Sequence, residues 1–474
     1  MKYSIVLLVS LMPTCLQAAN KQEYPNIILV MADDQGWGQV GYNGHPVLKT
    51  PNLDAMAESG LRFNRFYAAG PVCSPTRASV LTGRTHNRTG VPTHGKRLCL
   101  QEKTLARALK QAGYATAHFG KWHLNGVRGP GIPVLGDDEN HPGHYGFDTW
   151  LSVTNFFDLD PLMSLNGRFE AFKGDSSEVI VAEALKYMEK QEDAPFFAVI
   201  WYGSPHNPMQ ALDRDRKNLP DDKLGHHLGE IVGIDRSIGM LRKGLRDLGV
   251  EKDTLVWYCS DNGGLNIDPD ACGHLRGHKG SVLEGGIRVP GIVEWPGRIK
   301  PMVTDIPAST MDIMPTIVDL LGLPEDSMLS VRDGESILAL FSGGIPKRSQ
   351  PIPFMFLKNA AFIDGNYKLL SQNKSREGSW ELYDLKNDPG ETKDLSATLP
   401  DRLARMKIEA EALMHSIDAS AEGKDYPEGR VVQAQRSAFW RDMEEYKPHF
   451  ETFGRLKPGF VIPVEKSRGK KGPN

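Results

Sequence analysis

The sequence predicts an α/β fold with a large mixed, mostly parallel sheet sandwiched by helices, and a smaller C-terminal subdomain of antiparallel sheet plus helix. Two observations predict the large sheet: short apolar runs alternate with helical patterns, and each run ends abruptly in polar residues. A third observation, the change to closely spaced strand and turn signals near residue 345, predicts the second sheet. The chain has 474 residues, a length that favours two or three domains.

Four apolar runs are the predicted strands of the large sheet. They are Asn26 to Met31, Tyr114 to Phe119, Phe196 to Tyr202 and Thr254 to Cys259. Helical patterns lie between them, at Thr104 to Ala112, Val179 to Gln191 and Leu228 to Leu248. Because ligands bind beyond the carboxyl ends of parallel strands, we expect the polar residues that follow these runs to converge on one site.

Three further segments complete the predicted organisation. Residues 125–166 are rich in glycine, proline, histidine and aspartate, which predicts a long ordered loop over the sheet that shapes a substrate pocket. Residues 346–418 alternate strand and turn signals before a helix from Leu399 to about Ile417, and form the predicted C-terminal subdomain. Residues 24–345 are then the larger domain, and residues 419–474 are a polar extension with a disordered basic end.

Residues 1–19 have the layout of a secretory signal peptide. An apolar run from Ile5 to Met12 follows a lysine, and the small residues Ala18 and Ala19 end the segment. The run is too short to span a bilayer. Cys15 leaves a lipoprotein as an alternative, but the preceding MPT is a poor lead-in to a lipidated cysteine. We therefore expect an exported protein, periplasmic or secreted, without a membrane span.

Charge and cysteine content exclude several classes of protein. The 56 basic and 59 acidic side chains give a formal charge of −3, so we expect no nucleic-acid partner. Beyond residue 19 the cysteines are Cys73, Cys99, Cys259 and Cys272, too few for a disulfide framework. For Cys259 and Cys272 two alternatives stay open, a single bridge or the packing of two buried thiols.

The stretch PVCSPTRASVLTGR predicts an anion site at the start of a helix. Ser74 is the predicted N-cap, Pro75 takes the first helical position, and the helix continues from Thr76 to Arg84. Cys73 would lie where the partial positive charge of the helix gathers, and Arg77 would reach back beside it. An anion bound there meets backbone donors and a guanidinium fork.

The CxPxR pattern with its LTGR ending resembles the signature of type I sulfatases, a family of the alkaline phosphatase-like superfamily. The stretches GKWHLNGVRGPG and WLSVTNFFDLDPLM look most like those of bacterial polysaccharide sulfatases. The resemblance covers roughly residues 24 to 418. It implies that Cys73 is oxidised to formylglycine (3-oxoalanine) by a formylglycine-generating maturation enzyme. One hydroxyl of the hydrated aldehyde then attacks sulfur and the alcohol leaves; the second hydroxyl then loses its proton, which restores the aldehyde and releases the sulfate.

Two strand ends supply oxygen ligands for a hard divalent cation. Asp33 and Asp34 follow the first run, and Asp261 and Asn262 follow the fourth. An Asp-Asp pair after a strand is also common as a turn or helix cap. The resemblance favours the metal site and implies one calcium ion, shared by these four residues and by the oxidised Cys73.

The other catalytic residues are implied by the resemblance. Lys121 and His123 would point the same way on an extended backbone; the alternative is a surface lysine beside a packed histidine. The resemblance implies that Lys121 binds the sulfate and that His123 is a base near the diol. It makes His206 the acid that protonates the leaving alcohol, and Lys279 a ligand of the sulfate and ester oxygens, alongside Arg77.

A sulfated carbohydrate or polysaccharide, such as an algal galactan of the carrageenan type, is the predicted substrate. The long loop supplies five candidate sugar contacts, for which a purely structural role is the alternative: Arg128, His141, His144, Asn155 and Asp158. Two other functions stay open. One is phosphonate or phosphodiester hydrolysis, because related enzymes also carry CxPxR. The other is glycan binding without turnover, if Cys73 remains a thiol.

Overall fold

A computed structural model describes residues 24–191, 194–346, 348–372 and 379–463. The predicted signal peptide, with Cys15, and the basic end of the chain lie outside these residues. Within the described ranges, no helix combines the length and the apolar character needed to cross a bilayer.

Strands and helices alternate along most of the chain. The strands are β1 (Asn26–Ala32), β2 (Leu61–Tyr67), β3 (Ala115–Lys121), β4 (Val127–Arg128), β5 (Thr149–Val153), β6 (Leu162–Leu165), β7 (Arg168–Ala171), β8 (Phe196–Trp201), β9 (Thr254–Ser260), β10 (Arg288–Glu294), β11 (Met302–Thr304), β12 (Ala308–Ser309), β13 (Ile352–Phe356), β14 (Asn359–Asp364), β15 (Tyr367–Ser371), β16 (Glu381–Asp384) and β17 (Ala438–Phe439). The α-helices are α1 (Pro51–Ser59), α2 (Cys73–Thr82), α3 (Leu105–Gln111), α4 (Ser176–Glu189), α5 (Lys223–Asp247), α6 (Glu284–Ile287), α7 (Ile313–Leu320), α8 (Pro400–Ala421) and α9 (Phe450–Leu456).

One mixed sheet of eleven strands forms the centre of the molecule, in the order β11-β2-β10-β9-β1-β8-β3-β5-β6-β7, with β12 also paired to β2. The four strands predicted from the apolar runs are neighbours in it, and β9, β1, β8 and β3 run parallel. Antiparallel pairings occur on both sides of this group, between β10 and β9 on one side and from β5 through β6 to β7 on the other. The predicted fold class is confirmed, and the carboxyl ends of these four strands share one edge.

Helices cover both faces of this sheet. Along β1, Ile27 and Leu29 pack into one core, and Ile28 and Val30 pack into the other, because successive side chains of a strand point to opposite faces. Residues of α2, α3 and α7 belong to the first core, and residues of α1, α4 and α5 to the second. Each large apolar side chain buried in this way contributes about 1.5–3 kcal/mol, which fixes the central strands in place.

The smaller C-terminal sheet is antiparallel, in the order β13-β14-β15-β16. Helix α8 packs on it through Met406 and Leu413, which share a core with Phe362 and Leu382. The predicted sheet plus helix is therefore present. The boundaries placed at residues 345 and 418 stay a prediction.

The prediction for residues 125–166 is wrong in part, because this segment contributes strands of its own. Strand β5 pairs in parallel with β3, from Thr149 opposite Ala117 to Val153 opposite Lys121, and so extends the main sheet. Its five residues lie between glycine-rich and proline-rich stretches, too short a run to stand out in the sequence.

The C-terminal extension is more ordered than its polar composition indicates. Trp440, Tyr446 and Phe453 are buried and share a small core with Val127 and Ile132 of the long loop. Strand β17 pairs in parallel with β4. The extension up to residue 463 therefore packs against residues that follow β3.

The two cysteines for which a bridge was an alternative are free. Cys259 and Cys272 are both buried and unpaired. Cys259 packs in the same core as Ile27 and Leu29. The thiol of Cys272 donates to the backbone oxygen of Gly285 at 3.1 Å. The interpretation as buried thiols is confirmed.

Candidate active site

The predicted metal ligands meet at the carboxyl ends of β1 and β9. These strands pair in register with Ala32 opposite Ser260, which brings the polar residues after each strand together. The backbone N–H of Asp34 donates to Asp261 Oδ1 at 3.1 Å, and Asn262 Nδ2 donates to Asp34 Oδ1 at 2.8 Å. All of these side chains are buried, so the cluster is shielded from bulk water.

Cys73 lies against this cluster. Its thiol donates to Asp33 Oδ1 at 3.2 Å, and its Sγ is 3.9 Å from Asp34 Oδ1. Burial raises the pKa of Cys73 well above its usual value, and the carboxylates of Asp261 and Asp33 raise it further. An unmodified thiol here stays protonated and is a weak nucleophile, because the thiolate is the reactive form.

The helix that carries Cys73 begins earlier than the sequence predicted. Val72 is the N-cap, Cys73 is the first residue of α2, and the helix ends at Thr82. The hydroxyl of Ser74, predicted as the cap, instead donates to the backbone oxygen of His123 at 2.8 Å. This hydrogen bond ties the start of α2 to the residues that follow β3.

Three cations balance the three carboxylates of the cluster. The pairs are Lys121 with Asp33, Arg77 with Asp261 at 2.7 Å, and Lys279 with Asp34 at 2.5 Å. Lys279 Nζ also lies 3.6 Å from Cys73 Sγ. The side chains of the cluster therefore leave the site close to neutral. A divalent cation and an anionic ligand that bind there together add opposite charges, which offset each other.

The oxygen atoms of the cluster fit a hard divalent cation. Asp33, Asp34, Cys73 and Asp261 each offer one atom, and these atoms lie within 4.8 Å of one another. Asp34 Oδ2 and Asn262 Oδ1 are buried and have no hydrogen-bond partner among the described residues. A buried oxygen left unpaired costs about 1–3 kcal/mol, a penalty that a bound cation removes. Carboxylate and amide oxygens are the ligands that calcium and magnesium prefer.

Neighbouring charges set the protonation of two cluster carboxyls in opposite directions. Burial raises the pKa of Asp261 to about 6; Asp33 adds to this shift, and Arg77 opposes it. Burial also acts against ionisation of Asp34, but Lys279 outweighs it and holds the pKa of Asp34 below its usual value. Asp34 therefore stays ionised to a lower pH than Asp261 does.

His206 stands at the edge of the cluster, after β8. Its Nε2 is 3.8 Å from Asp34 Oδ2, and its ring stacks on Phe156 with 4.6 Å between ring centroids. Burial lowers the pKa of His206 to about 4, and Asp34 partly opposes this shift. The side chain is 19% exposed, so the ring contacts both the cluster and the open side of the site.

His123 is buried and adopts an unexpected backbone conformation. Its φ of 55° is left-handed, so the prediction of an extended backbone that points Lys121 and His123 the same way is wrong. Neither ring nitrogen has a hydrogen-bond partner among the described residues. Burial lowers the pKa of His123 well below its usual value, and Lys121 adds to the shift. The ring is neutral near pH 7 and free to exchange a proton with a bound ligand.

The predicted sugar contacts do not all lie at the rim of the site, the sheet edge that carries Cys73. Arg128 lies there, because its side-chain stem packs against Gly95, which is hydrogen-bonded to Ser74. The ring of His141 contacts that of His144 and stacks on Trp150, whose strand partner is His118 in the middle of β3. That position is three residues, or about 10 Å, before the end of β3, so the structure places this pair away from Cys73.

Asn155 and Asp158 make contacts that hold the loop itself. Asn155 Nδ2 donates to the backbone oxygen of Gly129 at 2.7 Å. Asp158 is hydrogen-bonded to Glu230 of α5, whose Oε1 accepts the backbone N–H of Gln210. These contacts support the structural alternative for both residues.

The carboxyl pair of Asp158 and Glu230 predicts a pH-dependent stability. Burial raises the pKa of Asp158 to about 7 and raises the pKa of Glu230 well above its usual value. The unfolded chain releases these protons from about pH 4 upward, so the stabilisation is complete below pH 4 and is lost as the pH rises toward 7 and beyond. We expect Glu230→Gln, whose amide can donate to Asp158, to raise Tm at pH 8 by about 2 °C and by less at pH 5.

Scanning calorimetry at the two pH values measures this difference. Glu411→Gln is the matched control, because Glu411 is half-buried on α8 and pairs only loosely with Lys407, at 3.6 Å. A Glu230→Gln effect of the same size at pH 5 and pH 8 would contradict the raised pKa values of Asp158 and Glu230.

Three residues of the site were missed in the sequence. The ring of Trp201 lies 5.1 Å from the guanidinium of Arg77, Phe156 stacks on His206, and His94 adjoins the cations of the rim. Trp201 is the next-to-last residue of the predicted strand Phe196 to Tyr202, so its position near the carboxyl end of the strand was a usable signal. Phe156 and His94 lie in segments without periodicity, and the sequence gives no signal for them.

A parallel sheet between helices, with carboxylates, lysines and a CxPxR helix start at one rim, defines a hydrolase of the alkaline phosphatase-like class. Comparison with known families narrows this class. Residues 25–323 match the family described as Sulfatase, and residues 278–413 match the C-terminal region of N-sulphoglucosamine sulphohydrolase. The chain belongs to the sulfatase family and is a sulfuric ester hydrolase.

Individual relatives agree with this assignment. The chain is 34% identical over 380 residues to N-acetylgalactosamine-6-sulfatase of Canis lupus familiaris, with 71% of this chain and 70% of that protein covered. It is 31% identical over 472 residues to Arylsulfatase A of Homo sapiens, with 84% and 89% covered. A crystal structure of Ps i-CgsB in complex with k-i-k-neocarrahexaose matches with a TM-score of 0.74 and 27% identity, over 82% of this chain and 92% of that one. Phosphonate monoester hydrolase of Agrobacterium radiobacter shares the fold, at a TM-score of 0.62 and 21% identity, over 84% and 96%.

Proposed function

We propose that this enzyme removes sulfate from a sulfated carbohydrate or polysaccharide, by means of a formylglycine derived from Cys73 and one bound calcium ion. One observation carries the proposal: Cys73 Sγ lies 3.2 Å from Asp33 Oδ1 and 3.6 Å from Lys279 Nζ. A nucleophile at this position is thus next to both a carboxylate cluster and the partly exposed ammonium group of Lys279. Family membership supports the same chemistry.

The proposed cofactors supply what the unmodified side chains lack. Hydrated formylglycine supplies an oxygen nucleophile and a second hydroxyl for the release of sulfate. Calcium supplies positive charge beside that nucleophile, held by Asp33, Asp34, Asp261 and Asn262. Their unpaired buried oxygens support this role. The proposal requires a formylglycine-generating maturation enzyme as a partner, since the thiol of Cys73 is buried and protonated.

The cations of the site are proposed to bind the sulfate group. Lys279 is 18% exposed, so its Nζ is open to a substrate that enters from solvent. Lys121 is fully buried beside Asp33, so it would contact only the buried side of the sulfate group. Arg77 donates to Asp261 and to the backbone oxygen of Lys121, which holds both in position. Donors fixed before the substrate binds stabilise the charge of the transition state without reorganisation.

His206 and His123 are the proposed proton carriers. His206 is on the open side, where a leaving alcohol departs, and a bound sulfate anion beside it would favour the protonated ring. His123 is enclosed and neutral, which suits a base that acts on the buried nucleophile.

The carbohydrate substrate and export are part of the proposal. The relatives include an N-acetylgalactosamine-6-sulfatase and a protein solved with neocarrahexaose, which supports a sulfated sugar, including the carrageenan type. Export to the periplasm or beyond rests on the composition of residues 1–19.

The test uses full-length enzyme produced with its maturation partner. The mass of the peptide that contains Cys73 is measured first, because oxidation to the aldehyde replaces sulfur and two hydrogens by one oxygen. Rates are then compared on an aryl sulfate, the matching aryl phosphodiester and phosphonate, and a panel of defined sulfated oligosaccharides. We expect the modified mass and the highest kcat/KM on sulfate esters.

Two results would contradict the proposal. Faster turnover of the phosphonate or phosphodiester would favour phosphoryl chemistry on the same fold. A thiol mass at Cys73, with glycan binding but no turnover after coexpression, would favour a binding protein.

A further inference from the structure

The loop of His94 and Gly95 crosses the rim directly beside the reaction site. The backbone N–H of Gly95 donates to Ser74 Oγ at 3.1 Å, and Ser74 follows Cys73 in α2. Gly95 has a φ of 67°, and a Cβ on it would lie 2.7 Å from Arg128 Cγ. The stem of Arg128 therefore lies across this backbone, and only glycine permits so close an approach.

Arg128 is an exposed arginine without an assigned partner. Among the described residues, no carboxylate or other acceptor pairs with its guanidinium. Two nearby arginines differ in this respect, because Arg97 pairs with Glu139 and Arg436 pairs with Asp138. An arginine fork binds planar or tetrahedral anions through two parallel hydrogen bonds, and the fork of Arg128 is available for that purpose.

His94 links Arg128 to the cations of the reaction site. Burial lowers the pKa of His94, and Lys279, Arg128 and Lys121 lower it further, so all three cations act on this ring. Lys279 and Lys121 are each paired with a carboxylate of the cluster. Of these three cations, Arg128 is the one that has no carboxylate partner among the described residues.

The C-terminal extension holds Arg128 in place. Strand β17 pairs with β4 so that Phe439 lies opposite Arg128. Next to this pair, Trp440 Nε1 donates to the backbone oxygen of Pro130 at 2.8 Å. The backbone that carries Arg128 is thus held by the extension before any ligand binds, which lowers the entropic cost of recognition.

We propose that Arg128, with His94 beside it, binds a second anionic group of the substrate, next to the sulfate that is removed. That group is a sulfate or a carboxylate on the same sugar or its neighbour. The inference rests on the proposed function and narrows its substrate class to carbohydrates with at least two anionic groups. A singly sulfated sugar leaves the guanidinium of Arg128 without a ligand.

Three matched disaccharides test this inference with the matured enzyme. Each carries the same scissile sulfate; one has no other charge, one has a second sulfate, and one has a carboxylate. We expect wild-type kcat/KM to be at least about tenfold higher on one or both of the doubly charged substrates. Arg128→Ala should abolish that preference, mainly through KM, and Arg128→Lys should keep part of it because lysine retains the charge but not the fork.

Arg168→Ala is the matched control, because Arg168 is an exposed arginine on the edge strand β7 and its removal should leave the preference unchanged. Equal kcat/KM on all three substrates, or a preference that survives in Arg128→Ala, would overturn the inference while sulfate hydrolysis stands. No hydrolysis of any of the three, with the modified mass at Cys73 verified, would instead overturn the proposed function.

Discussion

A Cys73→Ala variant is expected to lose sulfatase activity by at least about 10⁴-fold while it keeps the wild-type fold. The side chain at this position carries the proposed nucleophile, and neighbouring groups cannot replace it because the nearby carboxylates are held by cations. Alanine is a good helix former and suits the first turn of α2. Initial rates on an aryl sulfate, together with circular dichroism and Tm, measure both parts of the prediction.

Cys99→Ala is the matched control. Cys99 is also a buried, free thiol, but it packs with Leu329 and Tyr426 rather than at the sheet edge. We expect this variant to keep near-wild-type kcat and to lose some stability. Activity that falls equally in both variants would show that the loss comes from packing and not from the nucleophile.

Cys73→Ser separates an oxygen nucleophile from a diol. A serine hydroxyl can accept the sulfate group but has no second hydroxyl to expel it, so we expect at most one turnover followed by arrest. Rapid-quench kinetics and the mass of the peptide with residue 73 detect a trapped sulfate ester. Steady turnover by a variant whose mass verifies an unmodified serine would contradict the formylglycine mechanism.

Asp34→Asn is expected to remove calcium-dependent stabilisation and to lower kcat/KM by on the order of 10²–10³-fold. Asp34 accepts from Asn262 and Lys279, and its Oδ2 is one of the unpaired buried oxygens. The amide keeps the shape of the side chain but takes away one of three negative charges. Lys279 then loses its partner, and the site turns more repulsive to a divalent cation.

Thermal unfolding of chelator-treated protein, with and without added calcium, measures the effect on the metal site. A ligand that binds only the folded state raises Tm, so the wild type should respond and Asp34→Asn should not. Asp270→Asn is the control, because Asp270 belongs with His45 and Asp268 to a second group of side chains that could hold a cation, and the calcium response should survive its substitution. A calcium response that persists in Asp34→Asn, or is missing in the wild type, would contradict the assigned ligands.

The sequence predicted the centre of the fold because the strands there are buried on both faces. Continuous apolar runs such as Asn26 to Met31 are rare outside such sheets, and their ends located Asp33, Asp34 and Asp261 without any tertiary information. The outer strands of the sheet were harder to predict from the sequence. Strand β5 is short and has turn residues on both sides, so only its pairing with β3 identifies it as part of the sheet.

Local conformation at the site was harder to predict than residue identity. The left-handed backbone of His123 and the early start of α2 depend on the same long-range contact, in which Ser74 donates to the backbone oxygen of His123. Likewise, the segments of His94 and Arg128 are brought together by an antiparallel bridge between Arg97 and Asn125. Such contacts join residues far apart in the chain, and no pattern within a short window of sequence encodes them.

The burial of Cys73 restricts when the proposed maturation enzyme can act. The residue is 2% exposed and is part of a helix, so that enzyme would not reach it once the protein has folded. If Cys73 is oxidised as proposed, oxidation competes with folding and has to occur during or soon after synthesis. On that proposal, a chain that folds before it is oxidised would have the correct structure but no activity.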